Sequence, residues 1–296
     1  THVFQPHGGV YSCAASAQSR SAGSHRRRHA AARALNPKHR ALVRLEGQQR
    51  RRADRVTLVA LSDRVAGDMR AVYRPPSNRE PIRIYNGVDV ERFRPDPSAK
   101  DRAQLRRRHA IPADAFLVLF VGHNFRLKGL HHLLDALARV GGDTHLLVIG
   151  RGRDRLFRER AAALGLAGRF VFAGTVDDAA PLYRAADVLA HPTYYDPCSC
   201  VCLEALASGL PVITTGANGV GELIAADGGG VVLDAADDVA GLAAALIALR
   251  ENPAQCIRLA TEARELAEAR PEAKAFAAME AVLVETADRE AGNRGD

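Results

Sequence analysis

The 296-residue sequence contains no tryptophan, few aromatic residues and only five cysteines. No apolar run approaches the roughly 18 to 20 uncharged residues of a spanning helix, and the first residues lack the pattern of a signal peptide. We therefore expect neither a transmembrane span nor a secretory signal. The cysteines, at positions 13, 198, 200, 202 and 256, are odd in number and do not form a disulfide framework, which favours a reducing cytoplasm.

Two nucleotide-binding motifs are also missing. The sequence has no Gly-x4-Gly-Lys-Ser/Thr motif, so a P-loop is excluded, and GRGRD contains only Gly150-x-Gly152, which is too little for a dinucleotide fingerprint. The GRGRD loop is still expected to border a nucleotide base, because it follows a predicted strand.

The formal net charge of +7 is unevenly distributed, with the basic residues concentrated in the first third of the chain. Segment 26–55 is rich in arginine and helical in propensity, with an interruption at Asn36-Pro37. It is either a solvated helix face or a patch that contacts an anionic membrane. A nucleic-acid site is disfavoured, because aromatic residues are only 5% of the chain and no recognition motif accompanies the arginines.

From residue 116 onward, short apolar runs alternate with helical patterns, as in FLVLFVG, LKGLHHLLDALARV and HLLVIG. This alternation predicts βαβ units and a parallel sheet covered on both faces. We predict an α/β fold with three parts. They are a partial N-terminal Rossmann-like domain over 1–97, a complete doubly wound domain over 98–268, and a helix and tail over 269–296 that return to the first domain.

Ligands of such sheets bind beyond the carboxyl ends of the strands, where loops meet helix N-termini. The stretch DPCSCVCLEALASGLPVI starts in one of these loops and continues into a predicted helix. Asp196 lies in the loop, and Glu204 lies about one turn into the helix. The amides of Ser199, Cys200 and Val201 can bind a diphosphate, Glu204 can accept hydrogen bonds from ribose, and Asp196 can reach a sugar. The alternative is a helix cap followed by a surface glutamate.

The cysteines of this stretch alternate at 198, 200 and 202 without the second knuckle of a zinc site. We interpret them as small packing residues rather than as a metal cluster. Glu222, in TTGANGVGELI, is either part of another ligand loop or a plain acid that complements its own helix dipole.

The stretch from Asp196 to Glu204 resembles the acid-x7-acid signature of the retaining glycosyltransferases of family 4, which have the GT-B fold of two facing Rossmann-like domains. Three further stretches are similar to the interdomain turn, the phosphate loop and the loop before the signature: IYNGVDVERFRP, VGHNFRLKGLHHLLDAL and HPTYYDPCS. The likeness covers most of residues 82–285. It is greatest to bacterial enzymes that add a hexose to the lipopolysaccharide core, and it implies that the first part of the N-terminal domain is absent.

The resemblance assigns roles to individual residues. Glu204 matches the second acid, which binds ribose, and Asp196 matches the first, usually Glu, which binds the donor sugar. Lys128 and Arg126 match the cations that neutralise the donor diphosphate, in a loop that also contains Gly122 and Asn124. His7 matches a histidine near the reacting sugar, and a purely structural role for it is equally open.

The implied reaction moves a hexose from a nucleotide sugar, expected to be a UDP-sugar, to a hydroxyl of a lipid-linked or oligosaccharide acceptor with retention of configuration. In a front-face mechanism, the leaving phosphate takes the acceptor proton while Arg126 and Lys128 hold the diphosphate.

Because the chain has no Asp-x-Asp triplet, we expect no metal cofactor. The expected location is the cytoplasm, with contact at the inner membrane face through segment 26–55. The alternatives are a UDP-sugar 2-epimerase and a noncatalytic nucleotide-sugar-binding fragment.

Overall fold

The computed structural model describes residues 3–5, 9–22, 35–95, 99–152 and 154–292, and its strands form two parallel sheets. The smaller sheet has the order β1-β2-β3. Its strands and their helices are β1 (Val3–Phe4), α1 (Tyr11–Arg20), α2 (Pro37–Arg51), β2 (Thr57–Ala60), α3 (Asp63–Tyr73) and β3 (Ile82–Arg83).

The larger sheet has six parallel strands in the order β6-β5-β4-β7-β8-β9, with helices in every connection. Its first half consists of α4 (Ala99–Arg108), β4 (Phe116–Val121), α5 (Leu130–Val140), β5 (Thr144–Ile149), α6 (Arg155–Ala163) and β6 (Phe170–Gly174). Its second half consists of α7 (Ala180–Ala185), β7 (Val188–His191), α8 (Cys200–Ala207), β8 (Val212–Thr215), α9 (Gly219–Asp227) and β9 (Gly230–Leu233). Within the described residues, three helices follow the sheet: α10 (Val239–Glu251), α11 (Pro253–Glu268) and α12 (Glu272–Gly292).

Strand β4 lies in the centre of the larger sheet and is buried on both faces. Leu117 and Leu119 pack into one hydrophobic cluster, whereas Val118 and Phe120 pack into a second cluster on the opposite face. Successive strand residues point to opposite faces, so an uninterrupted apolar run fills two cores at once. This is why FLVLFVG predicted a doubly wound sheet.

The connection between the two sheets differs from the predicted β-rich run IRIYNGVDVERF. Only Ile82–Arg83 forms a strand, and Val88 instead makes an isolated bridge to Pro271. A Cβ added at Gly87 would lie 2.4 Å from the Cα of Glu272, so only glycine allows this close approach of the two segments. Helix α2 begins at Pro37 with Asn36 as its N-cap, where the sequence predicted an interruption. Residues 26–34 of the arginine-rich segment lie outside the described residues.

The last helix, α12, packs against the smaller sheet. Val282 contacts a cluster that contains Val59 and Ile84, and the hydroxyls of Thr57 and Thr286 are 3.2 Å apart. The C-terminal end of the chain therefore contacts the strands near its beginning. Within the described ranges, no helix combines the length and the apolar character needed to cross a bilayer.

Helix α4, which the sequence pattern did not predict, carries a buried arginine. Arg106 is only 2% exposed and donates hydrogen bonds to the carbonyls of Ala113, Ala115 and Ala185 and to the carboxylate of Asp187. Asp187 also accepts from the amide of Leu117, so the arginine ties α4 to the start of β4 and β7.

Replacing Arg106 with methionine should lower the free energy of unfolding by about 3 kcal/mol, because the buried carboxylate and carbonyls lose their donor. Chemical denaturation measures this change. Arg107→Met is the matched control, since Arg107 is the exposed neighbour on the same helix. Equal losses in the two variants would show that Arg106 does not anchor the helix.

Candidate active site

The candidate site lies at the point where the strand order of the larger sheet reverses, between β4 and β7. From β4, the chain winds outward through β5 and β6 on one side, and it returns to β7, β8 and β9 on the other. The loops after β4 and β7 diverge at this point and leave a crevice at the carboxyl end of the sheet. Lys128 follows β4 and Asp196 follows β7, so the two residues reach the crevice from its two sides.

Lys128 and Asp196 form an ion pair in the crevice. The Nζ of Lys128 is 2.5 Å from Oδ2 of Asp196. The side chain of Lys128 is 18% exposed, and that of Asp196 is 14% exposed. His191, the last residue of β7, places its Nε2 3.4 Å from the same oxygen and stacks on Phe120. The structure thus brings together two predicted residues and adds a buried histidine that the sequence analysis did not assign.

Burial alone would raise the pKa of the Asp196 carboxyl, but the Lys128 ammonium and the hydrogen bond from His191 outweigh it and hold this pKa below its ordinary value. Burial lowers the pKa of His191. The neutral ring therefore donates from Nε2, because a carboxylate only accepts. The site holds one fixed positive charge beside one fixed negative charge at neutral pH.

Backbone contacts hold the two loops in register. The amide of Tyr194 donates to the carbonyl of Leu127 at 2.9 Å, which joins the loop after β7 to the loop after β4. The amide of Asp196 donates to the carbonyl of Ala217 at 3.0 Å, which joins the loop after β7 to the loop after β8. Gly129 has a φ of +77°, and an added Cβ would lie 2.0 Å from the carbonyl oxygen of Pro192. Glycine is therefore required for the loop after β4 to approach the loop after β7.

The N-terminus of α8 faces the same crevice. Ser199 is its N-cap residue but makes no side-chain cap, and its own amide donates to Oδ1 of Asn218 at 3.3 Å. The predicted amide donor Ser199 is therefore buried and already bonded, whereas Cys200 is exposed and Val201 is half-buried, so the helix reaches the surface at these two residues. Asn86, from the connection between the sheets, donates to the carbonyl of Cys198 at 2.8 Å and holds the loop from the other side.

Glu204 lies one turn into α8 and is held by a tyrosine. The hydroxyl of Tyr183, on α7, donates to its Oε2 at 2.6 Å. Burial raises the pKa of Glu204, while this hydrogen bond opposes the rise. The sequence predicted Glu204 but not Tyr183, because 21 residues and one strand separate them along the chain.

The remaining predicted residues do not all lie beside the ion pair. Gly122 adjoins the ion pair, since an added Cβ would lie 3.6 Å from Lys128. Arg126 and Asn124 are exposed and line a separate cleft of about 740 Å³ with His131. Among the described residues, no hydrogen bond or ion pair joins Arg126 to Lys128 or Asp196. His7 lies outside the described residues.

The cysteines are not all packing residues, contrary to the sequence interpretation. Cys198 and Cys202 are buried, but Cys200 is exposed at the helix N-terminus. An alternating pattern at the start of a helix cannot place all three thiols in one core, because a helix turns about 100° per residue. In the part of the chain that the structure describes, no group of three or more His, Cys, Asp or Glu residues is arranged to hold a metal.

Glu222 joins the two sheets. Its carboxylate accepts from the amides of Asp63 and Arg64 at 2.9 and 2.7 Å and from the hydroxyl of Tyr85 at 2.8 Å. It therefore caps α3, a helix of the smaller sheet, where the sequence analysis considered only a ligand loop or its own helix dipole. An acidic group at a helix N-terminus is favourable because it satisfies the free amides.

Taken together, the loop after β4 contributes an ammonium, and the loop after β7 with the start of α8 contributes helix amides and two carboxylates. Such a set binds a phosphate ester through the cation and the amides, and polyol hydroxyls through the carboxylates. Asp196 is the carboxylate nearest the cation, and Glu204 is the one further along the helix.

Comparison with known proteins gives a family match. The model of the family described as glycosyl transferases group 1 matches residues 101–266. The lipopolysaccharide glucosyltransferase WaaG of Escherichia coli K12 is 31% identical over 180 residues, covering 60% of this chain and 48% of that protein. A D-inositol 3-phosphate glycosyltransferase of Xylanimonas cellulosilytica is 34% identical over 230 residues, covering 75% of this chain and 55% of that protein. The chain spans about half the length of these curated relatives.

Two solved structures share the fold. A crystal structure of WaaG aligns with a TM-score of 0.73 and 25% identity, over 92% of this chain and 71% of that one. The structure of Anabaena HepE in complex with UDP and glucose aligns with a TM-score of 0.76 and 21% identity, over 95% of this chain and 71% of that one. The predicted α/β fold of the GT-B type is thereby confirmed.

Replacing Asp196 with asparagine should lower the free energy of unfolding by about 3 kcal/mol at pH 7, because Lys128 loses its partner. The pKa of Asp196 is depressed in the folded state, so its stabilisation is present above the ordinary aspartate pKa and is lost below it. The difference between the variant and the parent chain should therefore shrink as the pH falls below about 4.

Urea denaturation across this pH range measures the difference. Asp54→Asn is the control, because Asp54 is an exposed aspartate with a side chain 59% accessible. A difference that stays constant with pH would contradict the assigned charge of Asp196.

Proposed function

Because the chain belongs to the group 1 glycosyl transferases, we propose that it is a retaining enzyme of family 4 that transfers a hexose from a nucleotide sugar. The observation that carries the proposal is the pairing of Lys128 with Asp196 at the switch point of the sheet. In this interpretation, the diphosphate of the donor lies over Lys128 and the N-terminus of α8, and the sugar lies over Asp196.

The proposed donor is a UDP-sugar. Glu204 is directed by Tyr183 and lies one turn beyond the amides of Cys200 and Val201, where a ribose attached to a bound diphosphate would be. The fold neighbour HepE has been solved in complex with UDP, with UDP and glucose, and with UDP-glucose. That likeness supports UDP as the nucleotide of the donor.

The proposed acceptor is a hydroxyl of a lipid-linked or oligosaccharide substrate. Relatives by sequence include a lipopolysaccharide glucosyltransferase of Escherichia coli and a lipopolysaccharide core biosynthesis glycosyltransferase, LpsD, of Rhizobium meliloti. The acceptor would enter between the smaller sheet and the crevice, because Glu222 and Asn86 bring those two surfaces into contact.

In the proposed reaction, the bond between the sugar and the diphosphate breaks while the acceptor oxygen forms a bond on the same face. The leaving phosphate oxygen takes the proton of the acceptor hydroxyl. Lys128, joined by Arg126 when donor is bound, stabilises the negative charge that grows on the diphosphate, and we propose no metal for this role. The carboxylate of Asp196 orients the sugar hydroxyls. A role for His7 near the reacting sugar stays a prediction.

We also propose cytoplasmic location with contact at an anionic membrane surface through the arginine-rich segment. In the described part of the segment, α2 has no buried residue. It exposes the apolar side chains of Val43 and Leu45 beside its arginines, and Leu35 just before it is 81% exposed. A helix with apolar and basic exposed residues is suited to a lipid interface.

Replacing Lys128 with alanine should lower the rate of donor turnover roughly 100- to 1000-fold, because charge on the leaving diphosphate is no longer neutralised. Replacing Glu204 with alanine should weaken UDP binding about tenfold, through loss of the hydrogen bonds to ribose. The measurements are hydrolysis or transfer from a panel of UDP-, GDP- and ADP-sugars, with calorimetry of UDP binding.

The control is Glu251→Ala, an exposed glutamate with a side chain 63% accessible, and melting temperatures confirm that each variant is folded. UDP binding without turnover in the parent chain would favour the noncatalytic binding fragment, and conversion of the free UDP-sugar to its epimer would favour the 2-epimerase. The proposal fails if no nucleotide sugar raises the melting temperature and Glu204→Ala changes nothing.

Replacing Tyr183 with phenylalanine should move the acid limb of UDP binding to higher pH. The pKa of Glu204 is already raised by burial, and loss of the Tyr183 hydrogen bond to the charged form raises it further. The protonated acid is a poorer acceptor for ribose hydroxyls, so affinity in the variant should fall earlier as the pH is lowered.

Calorimetry of UDP binding from pH 8 downward tests this shift, and the two affinities should converge at the alkaline end. Tyr194→Phe is the control, because Tyr194 bonds His132 instead of Glu204. If the pH profiles of the parent chain and of Tyr183→Phe coincide, Glu204 does not bind the ribose.

A further inference from the structure

His191 is a buried histidine of the candidate site to which the proposed function assigns no role. It is the last residue of β7, and its side chain is only 1% exposed. Its ring stacks on Phe120, with the two ring centres 6.1 Å apart. Its backbone carbonyl accepts from the amide of Thr193 at 2.8 Å and from the hydroxyl of Thr214 at 2.9 Å. The ring and the backbone are therefore both fixed by the fold.

The polar contact of this ring is with Asp196. The Nε2 of His191 is 3.4 Å from Oδ2 of Asp196, and the Nζ of Lys128 is 2.5 Å from the same oxygen. Among the described residues, the side-chain hydrogen bonds of Asp196 end on Oδ2 and none ends on Oδ1. A distance of 3.4 Å is long, but hydrogen bonds of catalytic sites are often long in the free enzyme and shorten in the substrate complex.

The other nitrogen of the ring makes this histidine costly to bury. The Nδ1 of His191 is buried and has no hydrogen-bond partner. A second proton on the ring is favoured by Asp196 and by the backbone of Val121, but burial and the Lys128 ammonium oppose it, and the net effect lowers the pKa of His191. The neutral ring thus keeps a desolvated acceptor, which an apolar side chain would not have. Packing alone does not account for a histidine at this position.

The backbone of Asp196 is held independently of its side chain. Its amide donates to the carbonyl of Ala217 at 3.0 Å, and its carbonyl accepts from the amide of Gly219 at 2.9 Å. What remains free is rotation about the two torsion angles of the side chain. The hydrogen bonds to Oδ2 restrict this rotation, and they therefore set the direction in which Oδ1 points.

Lys128 and His191 hold the carboxylate in different ways. The ammonium of Lys128 is at the end of a flexible stem, and in the proposed function it also neutralises the diphosphate of the nucleotide sugar. The imidazole is a rigid ring that is stacked and almost fully buried, so it cannot follow a ligand. His191 is therefore the hydrogen-bond donor that stays on Asp196 when a bound diphosphate attracts the ammonium.

We propose that His191 is a positioning residue, whose Nε2–H holds Oδ2 of Asp196 so that Oδ1 is directed to a hydroxyl of the donor sugar. The inference rests on the proposed function, in which Asp196 orients that sugar. Because His191 acts only through this carboxylate, its removal impairs the reaction of the sugar and leaves binding of the nucleotide unchanged. A misplacement of about 1 Å at a reacting centre can cost about 100-fold in rate.

Three variants separate the N–H donor from the packing of the ring. His191→Gln keeps an N–H where Nε2 was, because the two nitrogens are equally far from Cβ along the side chain. His191→Asn carries its N–H nearer the backbone, and His191→Leu has none. With UDP-glucose as the probe, kcat for transfer or hydrolysis should fall roughly 10- to 100-fold in His191→Leu and His191→Asn, and should stay within about threefold of the parent chain in His191→Gln.

Two further measurements exclude a merely structural role. The affinity for UDP, measured by calorimetry, should be the same in the parent chain and in all three variants, because UDP has no sugar for Asp196 to orient. The matched control is His145→Leu, since His145 is also buried, at 5% exposure, but bonds Asp143 at the opposite end of the sheet. This control should keep the kcat of the parent chain. Melting temperatures report whether each variant is folded.

His191 is not a positioning residue if His191→Leu turns over UDP-glucose like the parent chain, if the three variants lose activity equally, or if UDP affinity falls together with kcat. If His191→Leu does not fold, the comparison of His191→Gln with His191→Asn decides, because both carry an amide of the same chemistry.

The two proposals fail in different ways. A chain that turns over UDP-glucose equally well with and without an N–H at position 191 keeps its proposed function and loses this role for His191. If the parent chain binds UDP-glucose without turnover, the ratio of its affinities for UDP-glucose and UDP should fall in His191→Leu and be restored in His191→Gln, and a constant ratio contradicts the inference. A parent chain that binds no nucleotide sugar loses both proposals.

Discussion

The ion pair between Lys128 and Asp196 is the interaction on which the organisation of the site depends. Two opposite charges that are mostly removed from water must remain close, because either one alone is costly to bury. The pair therefore fixes the loop after β4 against the loop after β7. The backbone bond from Tyr194 to Leu127 and the close approach at Gly129 hold the same two loops without charge, so the ammonium stays in the crevice.

Around this pair, hydrogen bonds of one side-chain amide and of two carboxylates connect the larger sheet to the smaller one. Asn86 holds the loop before α8, Glu222 caps α3, and the hydroxyl of Tyr195 reaches Asp68. These contacts are directional and polar. They set the position of the smaller sheet over the crevice, and the acceptor is expected to enter between the two.

The sequence predicted the strands and helices of the larger sheet closely, because apolar runs and helical periodicity persist there over many units. It did not predict α4, whose exposed face is basic and whose key contact is a buried arginine instead of an apolar stripe. It predicted Asp196, Lys128 and Glu204 from spacing and resemblance. It gave no sign of Tyr183, which reaches Glu204 only after the intervening chain has folded.

By itself, the sequence determined the parallel α/β architecture and the loops that carry the site, since both follow from local patterns of apolar and loop-forming residues. The tertiary structure decided which charges meet. Lys128 and Asp196 are separated by 68 residues along the chain. Arg64 and Tyr195, which contact each other, belong to two different sheets, the smaller and the larger one. Partners of a buried polar group are selected by desolvation and geometry in three dimensions, and neither quantity is recorded in the spacing of residues along one chain.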